Sequence, residues 1–262
     1  MNVIIYESHH DKNKDLKVWY SKNSNINPHF HRSYELLYIV KGILQAEIGD
    51  KSFIAEPGDF VFVNKYYTHA YKSIDGYEKY VMIIPPYICN DFESIFKDKT
   101  LPPLLADKEF NKSLYPILKS MKDKFNQNTS LVKKGYVNVI IGELLNHYKL
   151  IHIKKNNNIE LLMNILDYID QNYKKDLDLE IISMEMGYSK YYVSRLFNTF
   201  IGQNINNYLN MVRVEHAYTM INSDDKKNIS EIALMCGFNS LPTFYRCYKK
   251  VYGIHPSQKD NI

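Results

Sequence analysis

Two segments about fifty residues apart carry the same pattern, and they restrict the fold more than any other feature of the chain. The stretch from Ile181 to Ser189 has an echo from Ser230 to Phe238, in which Ile182 matches Ile232, Ser183 matches Ala233 and Gly187 matches Gly237. Each copy reads as a short helix ending at glycine, which enters the left-handed conformation at a helix C-terminus without steric cost. The small side chain of Ser183 or Ala233 lets a following helix cross closely. That helix is predicted to begin after Ser189 in the first copy and around Ser240 in the second, both N-cap residue types. Pro242 is tolerated in the first turn, where its missing N–H would be unpaired anyway. Helix, glycine turn and helix make a helix-turn-helix unit. Between the two units, Ile205 to Ile221 is a candidate helix of 17 residues.

Helical spacing sorts each second helix into two faces. In the first copy Val193 and Phe197 point inward, leaving Lys190, Tyr191, Ser194, Arg195 and Asn198 outward. In the second, Phe244 and Tyr248 point inward, leaving Thr243, Tyr245, Arg246, Lys249 and Lys250 outward, with Ser240 at the start. Both outward faces are hydrogen-bonding and cationic, as a helix entering the major groove of double-stranded DNA requires. A connecting helix of roughly 25 Å, widened by each unit, can hold the two near one DNA turn apart, about 34 Å. One such hairpin is as compatible with plain helix packing; two in register favour DNA.

Charge restricts how such a surface works. The whole chain carries +4, but residues 159–262 hold 11 Lys/Arg against 12 Asp/Glu, while residues 108–158 hold 10 against 3. Phosphate contacts must therefore come from narrow stripes rather than from bulk charge. The surplus in the middle reads as the solvated face of linking helices.

From Val3 to about Pro86 the texture is that of strands, with Tyr-, Ile-, Val- and Phe-rich runs such as Tyr34–Val40, Ile43–Ile48, Phe60–Asn64 and Tyr80–Ile84. Close spacing of such runs suggests an antiparallel barrel or jelly roll. After Pro102 and Pro103, Asn111–Phe125 and Leu131–Ile151 show helical periodicity, and Lys154–Asn158 reads as a linker. The expected fold is α+β: a β-barrel over 1–105, linking helices over 106–155 and an all-α domain with both helix-turn-helix units over 156–262.

With these motifs in place, residues 159–258 resemble the double helix-turn-helix domain of the AraC/XylS family of transcription regulators. The resemblance rests on Tyr192, Val193, Ser194, Arg195, Leu196, Phe197 and Gly202, on Arg213 and Ala217, and on Ile229, Ile232, Ala233, Gly237, Phe238, Ser240, Phe244, Arg246, Tyr248, Lys249, Lys250, Gly253, Pro256 and Ser257. Ser183 departs from the usual alanine, Cys247 and Tyr248 from an apolar residue and phenylalanine, and Pro242 from a small polar residue, which puts a base contact there in doubt.

His29, His31, Glu35 and Gly42, the glycine closing the strand, resemble the first motif of the cupin superfamily. Glu56, Pro57, Gly58 and Asp59 supply the turn of the second motif, but its last histidine is expected at Val61, and His69 is the nearest. Alternation places Glu35, Leu37 and Ile39 on one face. His29, His31, Glu35 and His69 are therefore candidate contacts for a small ligand. No metal and no other cofactor is expected, since AraC-type regulators commonly carry such a pocket without one. If a metal did bind, His29, His31 and Glu35 would hold it. Trp19 is a core residue or a stacking platform for a sugar, and His9 and His10 are exposed end residues.

Three cysteines without metal-type spacing argue against a disulfide framework or zinc finger. The first residues lack a basic segment followed by an apolar core, and no apolar run approaches a membrane span. A cytoplasmic protein with no membrane partner is expected, and no catalytic residues stand out. The resemblance implies a homodimeric activator that binds promoter DNA, engages RNA polymerase and answers to a small-molecule effector such as a sugar. The alternatives are a metal-dependent cupin enzyme fused to helices, and a DNA-binding regulator without effector.

Overall fold

Along Tyr34–Ile48 and His69–Ile84 successive side chains are buried on opposite faces of the backbone, and this alternation organises the first half of the molecule. The structure is a computed structural model that describes residues 5–6, 16–85, 88, 90–96, 98–153, 156–222 and 228–258. The chain divides into two compact units, 1–154 and 155–262. His9, His10 and Cys89 lie outside the described residues.

The strands of the first unit are β1 (Ile5–Tyr6), β2 (Lys17–Lys22), β3 (Ile26–Phe30), β4 (Tyr34–Ile48), β5 (Lys51–Ala55), β6 (Phe60–Val63), β7 (His69–Ile84), β8 (Lys99–Thr100), β9 (Leu104–Leu105) and β10 (Ile151–His152). The main sheet runs β1-β3-β7-β4-β6-β9, with β2 also on β7 and β5 also on β4; β8 pairs with β10. Every pairing is antiparallel except β1 with β3. β4 and β7 pair from Tyr34↔Ile84 to Ile48↔His69, with register shifts between Ile39 and Lys41 and between Gly42 and Leu44.

Gly42 does not close its strand, as its motif led us to expect. The strand passes through it, so Tyr34–Val40 and Ile43–Ile48 are one element and Tyr80–Ile84 is the end of β7. Gly42 has φ +74°, and a Cβ there would stand 1.7 Å from the Gly76 carbonyl oxygen. Only glycine lets the two backbones meet at this bend.

Leu36, Tyr38, Phe60, Phe62, Tyr80 and Met82 turn one sheet face toward α1 (Asn90–Phe96), α2 (Lys108–Asp123) and α3 (Ser130–His147). Phe92, Leu114, Leu118, Met121, Val137, Ile140 and Leu144 meet them there in a shared core. Leu37, Ile39, Val61, Val63, Tyr71, Val81 and Ile83 turn the other face into the barrel interior. Period-two strands and period-3.6 helices thus bury matching stripes. α3 ends at His147, short of the expected Ile151, because residues 151–152 pair with β8 instead. Trp19 is not a core residue; it lies 38% exposed on β2.

The second unit is helical among its described residues: α4 (Asn157–Asn172), α5 (Leu179–Met186), α6 (Lys190–Ile201), α7 (Ile205–Ile221), α8 (Ile229–Met235) and α9 (Leu241–Tyr252). Asn156, expected in a linker, instead caps α4 by accepting from the Asn158 and Ile159 amides. Asp178, Ser189 and Asn204 cap α5, α6 and α7 in the same way, and Asn228 with Glu231 forms a capping box on α8. Arg213 on α7 is buried, and its guanidinium donates to the Tyr173 carbonyl at 2.7 Å and the Lys175 carbonyl at 2.8 Å. It pins the turn after α4 to α7. No helix of the described residues is long and apolar enough to cross a membrane.

Both hairpin glycines adopt positive φ, +72° at Gly187 and +86° at Gly237, but their surroundings differ. Nothing lies within 4 Å of a Cβ built on Gly187, whereas one on Gly237 meets the Tyr173 carbonyl oxygen at 2.6 Å. Gly187→Ala should therefore cost about 1–2 kcal/mol of left-handed strain. Gly237→Ala should cost clearly more, since α8 must also move off the turn held by Arg213. Thermal unfolding of both variants tests this; equal losses would show that the close approach carries no energy.

Candidate functional site

The outward faces of α6 and α9 are built alike. Each helix has 12 residues and ends on a left-handed glycine, Gly202 (φ 73°) or Gly253 (φ 76°), whose N–H donates to the Asn198 or Lys249 carbonyl. Aligned by these ends, Arg195 corresponds to Arg246 and Asn198 to Lys249. Val193 and Phe197 are buried beneath α6, and Phe244 and Tyr248 beneath α9. Lys190, Tyr191, Arg195 and Asn198 are exposed and Ser194 is half-buried; on α9, Ser240, Arg246, Lys249 and Lys250 are exposed, with Thr243 and Tyr245 half-buried.

The faces differ in detail. Lys190 is held 2.7 Å from Glu180 Oε2, and the Tyr245 ring stacks on His255 at 4.9 Å. Neither Arg195 nor Arg246 has an ion-pair partner among the described residues. Ser189 Oγ accepts from the Tyr192 amide at 3.3 Å, but Ser240, at the equivalent place, makes no capping bond. Pro242 explains the loss, since it removes one of the amides an N-cap side chain would bind.

In the first unit, His29, His31, Glu35 and His69 converge, all of them buried. One candidate ligand atom from each lies within 4.8 Å of the others. His29 ends β3 and pairs directly across the sheet with His69 at the start of β7, and Glu35 sits one residue into β4. The expected fourth position, Val61, lies instead in the apolar interior, and His69 takes that role. The loop before His69 is held by the Tyr66 amide, which donates to the His31 carbonyl at 2.8 Å, with Tyr66 at φ 64°.

Main-chain carbonyls fix all three rings. Nδ1 of His29, His31 and His69 lies 2.9, 2.9 and 2.8 Å from the carbonyl oxygens of Asn27, Ser33 and Tyr67. A carbonyl only accepts, so each Nδ1 carries the proton and Nε2 is left for other work. His31 Nε2 is 3.2 Å from Glu35 Oε2. His69 Nε2 is 3.3 Å from the same oxygen but off the hydrogen-bonding direction, leaving a buried nitrogen without a hydrogen-bond partner. Tyr71 donates its hydroxyl to Glu35 Oε1 at 3.0 Å. Burial alone would raise the Glu35 carboxyl; the polar contacts and charge of His31 and His69 outweigh it and hold the group well below the usual carboxylate range.

Deeper in the barrel, the Lys79 ammonium is buried 4.3 Å from the Tyr71 ring centre and 5.2 Å from that of Tyr77. Burial pushes its pKa down to about 8, against the pull of Glu35. Nothing in the sequence pattern marked Lys79, Tyr71 or Tyr77, since they lie more than thirty residues from the histidine motif. A separate open groove of about 490 Å³ is lined by Asp50, Lys51, Ser52, Phe53, Pro102, Pro103 and Leu104, and by none of the four converging residues.

Residues 15–133 match the model of the AraC-like ligand binding domain, and residues 182–261 match that of a helix-turn-helix domain. An uncharacterized HTH-type transcriptional regulator of Staphylococcus aureus (strain COL) is 24% identical over 233 residues, 84% of this chain and 30% of that protein. The chain thus spans about a third of the length of the Staphylococcus relatives it matches. The uncharacterized HTH-type transcriptional regulator YbfI of Bacillus subtilis (strain 168) is 22% identical over 199 residues, 74% of this chain and 72% of that protein. Among solved structures, ToxT from Vibrio cholerae aligns over 92% of this chain and 96% of its own at 13% identity, with a TM-score of 0.45.

Lys79 generates a pH signature. Its folded pKa of about 8 lies below the ordinary 10.5, so between those values the unfolded chain binds the extra proton and stability rises with pH. The raised tyrosines, Tyr71 above all, oppose this only above about pH 10. Urea denaturation should therefore show stability growing by up to about 2 kcal/mol from pH 8 to pH 10. In Lys79→Met that rise should vanish and stability at neutral pH should increase. A flat wild-type profile would contradict the burial of a charged lysine.

Proposed function

We propose that this chain, which belongs to the AraC/XylS family, regulates transcription by laying α6 and α9 in the major groove of promoter DNA under the control of a small molecule bound in its N-terminal barrel. The observation that carries this reading is the equivalence of Arg195 and Arg246. They occupy the same position on two helices of equal length and equal ending, and both are exposed. Arginine presents a fork of donors that matches guanine edges or phosphate oxygens. Tyr191, Ser194 and Asn198 flank the first, and Ser240, Thr243, Tyr245, Lys249 and Lys250 flank the second. Lys190 serves as a phosphate contact once it leaves Glu180.

The barrel supports the second part of the reading. Its buried polar cluster of His29, His31, Glu35 and His69 borders an otherwise apolar interior, a setting suited to a small polar effector, with sugars among the candidates. Homodimerisation through residues 106–155, activation, and contact with RNA polymerase belong to the same proposal, as does the placement of the DNA-reading domain at 156–262.

Duplexes selected by the full chain from a randomised pool supply the test. Arg195→Ala and Arg246→Ala should each weaken binding to the selected duplex by about 1–3 kcal/mol. Lys249→Ala should lower the slope of log affinity against log salt by about 1 if its ammonium meets phosphate. Unchanged affinity in both arginine variants, with circular dichroism intact, would refute the outward faces as the reading surface.

A further inference from the structure

We propose that His29, His31, Glu35 and His69 form a mononuclear site for a divalent first-row transition ion inside the barrel. The inference goes beyond the DNA-reading proposal and does not rest on it. It begins with the three Nδ1–H groups, each committed to a main-chain carbonyl. In the neutral rings every Nε2 is then a lone pair, and one from each ring stands with a Glu35 oxygen in a group whose members lie within 4.8 Å of one another. Fixing the far nitrogen by a carbonyl is how metal-ligating imidazoles are oriented and made more basic.

Without a cation this arrangement is unfavourable. Nε2 lone pairs of His31 and His69 would face the Glu35 carboxylate at 3.2 and 3.3 Å. Second protons on the rings would relieve that, but would crowd imidazolium charges against one carboxylate, with ring centres of His29 and His69 only 4.0 Å apart and Lys79 buried in the same interior. A single divalent ion satisfies all four donors at once. It also gives His69 Nε2, the buried nitrogen without a hydrogen-bond partner, its function.

The dimensions fit. Donor bonds of about 2.1 Å place opposite donors about 4.2 Å apart, so the group closes on an ion with shifts of a few tenths of an ångström. Tyr71 holds the second Glu35 oxygen and leaves Oε2 toward the rings. Three imidazoles and one carboxylate suit zinc, iron, cobalt, nickel or manganese, and they disfavour calcium and magnesium, which take oxygen ligands. The sequence reading, with Val61 in the fourth place, stopped at three donors; the cross-strand pairing of His29 with His69 supplies the fourth.

The test uses the untagged full chain, stripped with a chelator at neutral pH and titrated with Co²⁺. About one Co²⁺ should bind per chain, with visible d–d absorption, and the melting temperature should rise by about 5 °C at a hundredfold excess over Kd. Zn²⁺ should bleach the absorption by displacement. His69→Ala and Glu35→Gln, checked for fold by circular dichroism, should each lower affinity by 10-fold or more. Should both variants fail to fold, the wild-type titration decides by itself. Three outcomes would overturn the site: no stoichiometric Co²⁺ in the wild type, binding unchanged in folded His69→Ala, or stability that follows pH near the histidine range with no response to metal. Affinity of the stripped chain for its selected duplex, measured alongside, keeps a failure here separate from a failure of the DNA-reading proposal.

Discussion

The register between β4 and β7 is the constraint on which the barrel depends. Side chains alternate with a period of two, so slipping this pairing by one residue would exchange every inward group for an outward one. Glu35 and Tyr71 would leave the interior, and the Leu36, Tyr38, Tyr80 and Met82 face would lose its helices. Register also decides the chemistry. His69 is far from His29 and Glu35 in sequence, and only the pairing Ile48↔His69 and His29↔His69 brings it to them. The bend at Gly42 and Gly76 lets one pair of long strands serve both the helix-covered core and the polar end of the barrel.

The helical unit is held differently, by local signals reinforced at one tertiary point. Capping residues set where α4 to α8 begin, and left-handed glycines end α5, α6 and α9. At Gly237, glycine is required twice over: for its backbone angles and because the turn at Tyr173 leaves no room for a side chain. That turn is also where Arg213 spends its charged hydrogen bonds. Arg213 is therefore a structural cation, and the exposed arginines Arg195 and Arg246 are left for external work.

How much of this was legible in the sequence follows from how local each signal is. The bounds of α7 and the inward places of Val193, Phe197, Phe244 and Tyr248 could be read directly, because caps and helical spacing are encoded within a few residues. Leu37 and Ile39 were placed inside by alternation alone. The histidine cluster was only three-quarters legible, since its last member depends on strand register rather than on spacing. Lys79 was invisible for the same reason: a lysine in a strand reads as solvent-facing until the sheet that buries it is known. The linker expected at Lys154–Asn158 failed because Asn156, a turn-forming residue type, is equally a helix cap.

The three carbonyls that bind the histidine rings belong to residues 27, 33 and 67, and their side chains play no part in those bonds. Every residue type, proline included, keeps its carbonyl. The orientation of the imidazoles is thus written in the path of the backbone and is shielded from point substitution at its own supports. Related chains can change Asn27, Ser33 or Tyr67 freely and still present the same ring edges. What they must keep is the course of the loops, so a one-residue insertion there would do what no single replacement can.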